Sequence, residues 1–460
     1  MDDIEKFDAI IIGSGQAGNP LMFDLAGRGQ RVAMIEKNEL GGSCINFGCT
    51  PTKTLIASST LYHRVQNSGE LGVMTENVEL DFKKVMDRKN DIVKLFRSSI
   101  EKGIDGSENI ELYKGLASFI DKNTVNVNLN NGKEVKIQAD RVYINSGSKT
   151  NVIPIDGLKN VEYYDSASIM ALDELPEHLV IIGTGYIALE FGQMFKRFGS
   201  KVTMIGIEDA IISHEDKDVS NRIQEILEDE GIEILLNTNT KRVKKNGNKT
   251  NIYIQRDEKE EKIECSHLML ATGRVPVTED LKLKNTQVEL DDNGNIKVDN
   301  KLKTNEENIY ALGDVKGGPQ FTHIAHDDYR IVVDNIFETG KRNTEDRLVP
   351  FTLYTAPQLG RVGITEAQAK EEGYDIMIGK LEMRKLGRAI EKDLTEGFMK
   401  VVINKENHKI LGAAILGYQG GEIMAIIQIA MKAEMKYQEL RDAIFTHPSL
   451  SEALNNLFDI

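Results

Sequence analysis

Two of the three cysteines in this 460-residue chain, Cys44 and Cys49, lie five positions apart. They sit inside the stretch Gly41-Gly42-Ser43-Cys44-Ile45-Asn46-Phe47-Gly48-Cys49-Thr50-Pro51-Thr52-Lys53. Thr50-Pro51 reads as a helix start, because proline suits the first turn and threonine can cap it. A cysteine at such a start feels the helix's positive end, which lowers its pKa and favours the reactive thiolate. An ideal helix separates positions i and i+5 by about 7.5 Å of rise. Bonded cysteines keep their Cα atoms roughly 4.4–6.8 Å apart. If Cys44 and Cys49 bond, the backbone between them must leave helical geometry, and Gly48 supplies the freedom. Such a disulfide would be strained, accessible and reducible. The other readings are two unrelated buried thiols or half of a metal site, and two cysteines fall short of the four ligands that structural zinc takes. The third cysteine, Cys265, is far away in sequence and reads as structural.

The rest of the chain must position that stretch. Its length is enough for about three domains. Hydrophobic content of 40% with 28% charged residues is ordinary for a globular protein. A net charge of −15 argues against a nucleic-acid-binding surface. No apolar run approaches the roughly 18 residues that span a membrane. The start, MDDIEKFD, is acidic and leads straight into a strand, unlike a signal peptide. So few cysteines suit a reducing cytoplasm, where a disulfide would be catalytic and not structural.

Phe7-Asp8-Ala9-Ile10-Ile11-Ile12 is a short apolar run of the kind buried in a parallel sheet. It leads into Gly13-Ser14-Gly15-Gln16-Ala17-Gly18, a helical pattern through Leu25, and a second strand, Arg31–Ile35, ending at Glu36. Strand, G-x-G-x-x-G, helix, strand, acid is the dinucleotide-binding fingerprint. Its glycines let the backbone approach a pyrophosphate at the helix N-terminus, and Glu36 can take a ribose hydroxyl pair. Polar helices follow, Phe82 to Lys102 for example, and then a hairpin of 124–129 and 134–137 around an Asn131-Gly132 turn. A separate strand, Arg141–Ile144, ends in Asn145-Ser146-Gly147-Ser148, a candidate phosphate-side turn.

The fingerprint then recurs. Leu179–Ile182 precedes Gly183-Thr184-Gly185-Tyr186-Ile187-Ala188, a helix to about Phe198, and the strand Lys201–Ile205. Two dinucleotide sites in one chain are a repeat with a functional meaning: one for a flavin dinucleotide, one for a nicotinamide dinucleotide, with a thiol pair between them. Leu268–Gly273 and Asn308–Asp314 are further strand-to-glycine junctions. From about residue 345 the texture changes to a hairpin, 398–403 with 410–416, and a largely apolar helix, about Glu422 to Met435. A helix so apolar must be buried in a core or against another subunit. Phe445-Thr446-His447-Pro448-Ser449-Leu450-Ser451-Glu452 comes near the end.

Assembled, these residues resemble the FAD-containing pyridine-nucleotide disulfide oxidoreductases of the glutathione reductase and dihydrolipoamide dehydrogenase type, along essentially the whole chain. The resemblance implies an α/β fold with two Rossmann-like dinucleotide-binding domains, for FAD and NAD(P), and a C-terminal α+β dimerisation domain. The expected borders are 1–148 for the first part of the FAD domain, 149–272 for the NAD(P) domain, 273–343 for the central FAD-binding part and 344–460 for the interface domain. It implies FAD on Gly13, Gly15, Gly18, Glu36, Gly42, Ser146, Gly147, Gly313 and Asp314. It places the nicotinamide nucleotide on Gly183, Gly185, Tyr186, Ala188 and Gly273. Cys44 and Cys49 match the redox disulfide, with Lys53 next to the flavin and Glu190 in the position that pairs with it, although those two could form an ordinary ion pair. His447 and Glu452 match an acid–base dyad that reaches a partner's thiols across a homodimer. In the implied relay, electrons reach the disulfide through Cys49, Cys44 is the more exposed thiol that attacks substrate, and His447 moves the proton. Ser449 to Glu452 also reads as a capping box, in which Glu452 serves only the helix end.

Within the family, Gly317–Val332 and Phe445–Phe458 look like the bacterial reactive-chlorine resistance reductases, whose substrates include hypothiocyanous acid. The alternatives are dihydrolipoamide dehydrogenase, or a mercuric-reductase-like enzyme lacking the C-terminal cysteine pair. Mercuric reductases carry a further cysteine pair near the C-terminus, and Ala453–Ile460 has none, so mercuric ion turnover is not expected. Other classes stay open: a flavin-binding redox sensor, and a metal-binding protein using Cys44 and Cys49. After the second fingerprint's strand comes Gly206-Ile207-Glu208-Asp209, with two acids and none of the arginines that take a 2′-phosphate. This leans to NADH, while Ala188 is common among NADPH users.

Overall fold

The computed structural model describes residues 4–256 and 259–460, so the acidic start Met1-Asp2-Asp3 lies outside the described residues. The chain divides into two compact units, Met1–Thr54 with Met86–Asn151 and Gly273–Arg347, and Leu55–Val85 with Val152–Thr272 and Leu348–Ile460.

The first unit opens with β1 (Glu5–Ile12), α1 (Gly18–Gly27), β2 (Val32–Glu36), α2 (Gly42–Asn46) and the start of α3 (Cys49–Gln66), whose residues from Leu55 on belong to the second. Then come α4 (Phe82–Asp105), β3 (Ile110–Phe119), β4 (Thr124–Leu129), β5 (Glu134–Ile144) and β6 (Ser148–Thr150). β1 runs parallel to both β2 and β5, β2 to β3, and β5 to the strand Ile309–Ala311. β3, β4 and β5 pair antiparallel through their outer halves. This corrects the reading of 134–137 and 141–144 as two strands. They are one strand of 11 residues, whose start pairs with β4 and whose end pairs with β1. Consecutive residues of β1 enter different cores, Ile10 on one face and Ile11 on the other, and both are wholly buried. Each such side chain contributes about 1.5–3 kcal/mol by leaving water. A sheet covered on both faces fixes the height of every strand end, which is where the functional loops sit.

The second unit repeats the theme with β7 (His178–Ile182), α5 (Tyr186–Phe198), β8 (Lys201–Ile205) and α6 (Lys217–Asp229). β7 lies between the parallel strands His267–Leu270 and β8, and β8 pairs with Glu233–Leu235. Toward the C-terminus, five antiparallel strands run in the order 351–353, 358–363, 410–417, 398–404, 376–382. The apolar helix spans Gly420–Lys432 and buries Ile423, Met424, Ile427 and Ala430 in that part's core, while Ile429 is 64% exposed. No helix among the described residues is long and apolar enough to cross a membrane.

Candidate active site

The first fingerprint builds a tight cradle. Gly13 ends β1 with φ +102°, and a Cβ there would lie 2.3 Å from the Asn145 carbonyl oxygen. A Cβ on Gly18 would meet the Gly13 carbonyl oxygen at 2.3 Å, and one on Gly15 the Asn145 Oδ1 at 2.6 Å. The N-cap residue of α1, Ala17, offers no side-chain cap; the Gly18 N–H is taken by the Asn145 Oδ1 at 2.9 Å, and the Asn19 and Leu21 N–H groups by the carbonyls of Gly15 and Ala17. Glu36 is buried at the end of β2, where its carboxylate accepts from the Ser14 N–H and the Asn38 N–H, both at 2.8 Å. Gly42 has φ +60°, and a Cβ there would meet the Gly15 Cα at 2.7 Å, so the loop before α2 presses on the fingerprint. Across the cradle, Ser148 donates to Asp314 Oδ2 at 2.6 Å and Arg274 donates to the Ser148 Oγ at 2.8 Å. Ser146 donates to the Val277 carbonyl, while Gly147 (φ +74°) and Gly313 (φ +72°) sit in the left-handed region. A glycine-lined turn from strand to helix, with one acid at the next strand end, fits a dinucleotide.

The thiol segment lies against that cradle. Cys44 is the third residue of α2, which ends at Asn46, and Cys49 is the first residue of α3. The helical break expected between them is present. Gly48 matters there for space and not for a positive φ, because a Cβ on it would lie 3.0 Å from the Ser43 carbonyl oxygen and 3.3 Å from the Cys44 Cα. α3 starts one residue earlier than Thr50-Pro51 implied, so Thr50 stands inside the first turn. Neither Cys44 nor Cys49 is bridged in a disulfide. A hydrogen bond to the Cys49 sulfur, with burial added, pushes the Cys44 thiol well up from the ordinary range. The order of exposure is the reverse of expectation: Cys49 is exposed and Cys44 only partly so. The reason is local, since Cys49 opens a helix while Cys44 is held within one. The Cys49 Sγ lies 3.3 Å from the Thr322 hydroxyl, at the start of the helix Thr322–Phe337. Lys53 follows Cys49 by one turn of α3 and is partly buried.

The second fingerprint is looser. Gly183 (φ +124°) is closed off, with a Cβ 2.3 Å from the Ala271 carbonyl oxygen. Around Gly185 a Cβ would meet nothing within 4 Å, and the same is true of Gly273 (φ +91°). Ala188 is wholly buried at the third position. Tyr186 begins α5, and its hydroxyl donates to Glu215 at 3.4 Å. Burial, and then the Glu215 charge, push its pKa up. Glu215 is itself paired with the buried Arg361 at 3.1 Å. Glu190 is buried, and its carboxylate accepts from the Tyr354 N–H at 2.9 Å. The strand end explains the absent acid there. A Cβ on Gly206 would lie 2.7 Å from the Thr184 Oγ1, so no side chain fits, whereas Glu208 and Asp209 are exposed beyond it.

Near the C-terminus the His447 Nδ1 is 2.9 Å from a Glu452 carboxylate oxygen, with the two side chains 78% and 40% exposed. Half of the capping box is also present, because the Ser449 hydroxyl accepts from the Glu452 N–H at 3.2 Å. The Glu452 carboxylate turns to the histidine and not back to the helix end. Cys265 is buried in an apolar cluster, which pushes its thiol up to about 12, so its structural reading fits.

Sequence reasoning passed over three residues. Asn145 accepts from the Gly18 N–H through Oδ1 (2.9 Å) and donates to the Leu312 carbonyl through Nδ2 (2.8 Å). Asp328, fully buried, accepts from the Gly313 N–H at 2.8 Å and pairs with Arg347 at 2.8 Å. Thr322 is the third. Asn145 could have been found from its place just before Ser146-Gly147. The other two have no local signal.

Residues 7–328 match the family described as pyridine nucleotide-disulphide oxidoreductase, and residues 349–458 match its dimerisation domain. The probable pyridine nucleotide-disulfide oxidoreductase RclA of Escherichia coli K12 is 38% identical over 99% of this chain and 100% of its own length. The mercuric reductase of Staphylococcus aureus is 34% identical over 97% of this chain and 81% of its own. The dihydrolipoyl dehydrogenase of Geobacillus stearothermophilus is 32% identical over 97% and 94%. The solved structure of the HOCl-induced flavoprotein disulfide reductase RclA from Escherichia coli superposes with a TM-score of 0.90 at 37% identity, covering 98% of this chain and 99% of that one. Its Cu(II) complex gives 0.91 at 37% identity, covering 99% of each chain. With FAD and NAD(P) domains followed by a dimerisation domain, the chain belongs to the class I pyridine nucleotide-disulphide oxidoreductase family of NAD(P)H-dependent flavoprotein enzymes.

Proposed function

We propose that this enzyme reduces a small reactive-chlorine or hypothiocyanous-type oxidant through a Cys44–Cys49 disulfide, using NADH. The observation that carries the reading is the thiol pair itself, two cysteines in hydrogen-bond reach across a helical break beside a dinucleotide cradle. Similarity to an HOCl-induced disulfide reductase supports the substrate class. Gly13, Gly15, Gly18, Gly42, Glu36, Ser146, Gly147, Gly313 and Asp314 would hold FAD. Gly183, Gly185, Tyr186, Ala188 and Gly273 would hold the nicotinamide nucleotide. Bound there, FAD would supply the two-electron chemistry between a nicotinamide hydride and the disulfide.

The protein's own groups do the rest. Lys53, one turn from Cys49, would supply positive charge near the sulfur that receives electrons. Cys44, whose proton is held tightly, needs a base before it can attack. His447, oriented by Glu452, is that base, and it serves the thiols of a second copy in a homodimer. The exposure of its ring supports a role beyond its own chain, as do the apolar Ile429 and the fully exposed Ile444 nearby in sequence. Exposed Glu208 and Asp209 would repel a 2′-phosphate, which favours NADH.

The test is anaerobic turnover with NADH and with NADPH against hypothiocyanous acid, hypochlorous acid, lipoamide, glutathione disulfide and Hg(II). NADH-driven reduction of hypothiocyanous acid, abolished by Cys44→Ser, is the expected result. Lipoamide as the fastest acceptor would replace the reading with dihydrolipoamide dehydrogenase. Full turnover by Cys44→Ser would sink the relay itself. His447→Gln should cut turnover by about a hundredfold and leave thermal unfolding unchanged.

A further inference from the structure

We propose that Arg97 and Asn46 are positioning residues for the thiol pair, a clamp that holds the segment between the cysteines closed and so favours the Cys44–Cys49 disulfide. This rests on the redox reading of the pair and adds what sets its potential. Asn46 is the last residue of α2, between the two cysteines, and is 8% exposed. Its side-chain amide is fully engaged. Nδ2 donates to the carbonyl oxygens of Leu40 at 2.9 Å, Gly42 at 3.0 Å and Glu39 at 3.2 Å. Oδ1 accepts from the Arg97 guanidinium, through Nε at 3.1 Å and Nη2 at 2.7 Å. The remaining arm of that fork, Nη1, pairs with the Glu39 carboxylate at 3.0 Å. Asn46 thus staples α2 to the loop that leads into it, and Arg97 ties the staple to α4, a helix of 24 residues.

α2 needs such a support. It has five residues and no side-chain cap, too short to hold itself in place. Yet it is folded back tightly, since a Cβ on Gly48 would lie 3.3 Å from the Cys44 Cα. That approach brings Cys44 into hydrogen-bond reach of the Cys49 sulfur, and a disulfide requires the same closeness. Clamp and bridge therefore stabilise one arrangement. With the clamp in place, the reduced pair is already ordered for closure. Without it, bridge formation must order α2 unaided. A purely electrostatic effect of Arg97 would act the other way, because a nearby cation favours thiolates and hence the reduced pair. The sign of the change separates the two.

The test equilibrates FAD-loaded protein anaerobically with reduced and oxidised dithiothreitol. In that exchange the two cysteines pass two electrons and two protons to the oxidised reagent. One S–S bond forms between them while the reagent's own opens to two thiols. Acid quenching, alkylation and peptide mass give the equilibrium constant. Arg97→Met should lower it by about tenfold, the lower end for a hydrogen bond to a charged group, which raises the potential of the pair by about 30 mV. Arg97→Lys keeps the charge but loses the fork, and should lower it by about threefold. Glu39→Gln breaks only the exposed ion pair and should stay within about twofold of the parent. A constant unchanged or raised in Arg97→Met overturns the proposal. So does a fall in Glu39→Gln as large as that in Arg97→Met. If Arg97→Met does not retain flavin, Arg97→Lys carries the test, and an unchanged or raised constant there overturns the proposal equally. A bridge in the unaltered chain that the Arg97 substitutions leave unmoved defeats the clamp alone. Absence of any bridge in the unaltered chain defeats the redox reading and the clamp with it.

Discussion

The two fingerprints share a sequence pattern and differ in how they are closed. Around Gly13, Gly15 and Gly18, each added Cβ would strike a neighbouring polar atom at 2.3 to 2.6 Å, and Asn145 threads between them. Around Gly185 there is open space, and the third position already accepts the methyl group of Ala188. The strand ends diverge in the same sense. Glu36 is buried and locked by two backbone N–H groups, whereas Gly206 is closed to any side chain and the acids beyond it are exposed. A prebuilt, tightly braced cradle suits a nucleotide that stays. An open one suits a nucleotide that must leave at each turnover. At the first position glycine serves packing in both copies, since a Cβ on Gly13 or on Gly183 would lie 2.3 Å from a carbonyl oxygen, whereas at the second position Gly15 is packed and Gly185 faces open space.

Substitutions should separate the two reasons. The largest effect is expected from Gly13→Ala, which puts a side chain at φ +102° and 2.3 Å from a carbonyl oxygen. It should destabilise the protein by about 3 kcal/mol or more and strip it of flavin, as read by thermal unfolding and the absorbance ratio of 450 to 280 nm. Asn145→Ala comes next. It leaves the buried Gly18 N–H and Leu312 carbonyl unpaired, and should cost about 2–3 kcal/mol in chemical denaturation with weakened flavin retention. Gly185→Ala should leave flavin content and stability within about 0.5 kcal/mol of the parent, and raise KM for NADH by about tenfold, near 1.4 kcal/mol of binding. If Gly185→Ala lost flavin as Gly13→Ala does, the contrast between the cradles would be void. The smallest effect belongs to Glu208→Lys, which should shift the ratio of kcat/KM values toward NADPH by about three- to tenfold at low salt, and less at high salt.

What could be read from the sequence followed from how local each signal is. Both fingerprints, Glu36, the Asn131-Gly132 hairpin and the break at Gly48 are written in runs of a few residues, and the structure has them at those places. β5 was split into two because its residues change partner midway, and a switch of neighbours leaves no mark on periodicity. The apolar helix was expected to be buried in a core or against another subunit. It buries Ile423, Met424, Ile427 and Ala430 in its own core and leaves Ile429 exposed, and periodicity alone does not tell which face meets the core. Thr322 and Asp328 were beyond reach for a different reason. Each acts on a residue of another segment, Cys49 and Gly313, and only the folded sheet brings them there. The dyad at His447 was legible as a pattern, but the choice of Glu452 between histidine and helix end is a matter of side-chain direction.

The central claim is that Cys44 and Cys49 are one two-electron centre fed by the nicotinamide nucleotide. Anaerobic titration of the oxidised, FAD-loaded protein with NADH, quenched by iodoacetamide and read by peptide mass, tests it directly. One molar equivalent should convert a bridged Cys44–Cys49 peptide into two labelled cysteines, with Cys265 unlabelled until the protein is denatured. Cysteines that label fully before any NADH is added, or a bridge that persists after flavin reduction, would contradict the account.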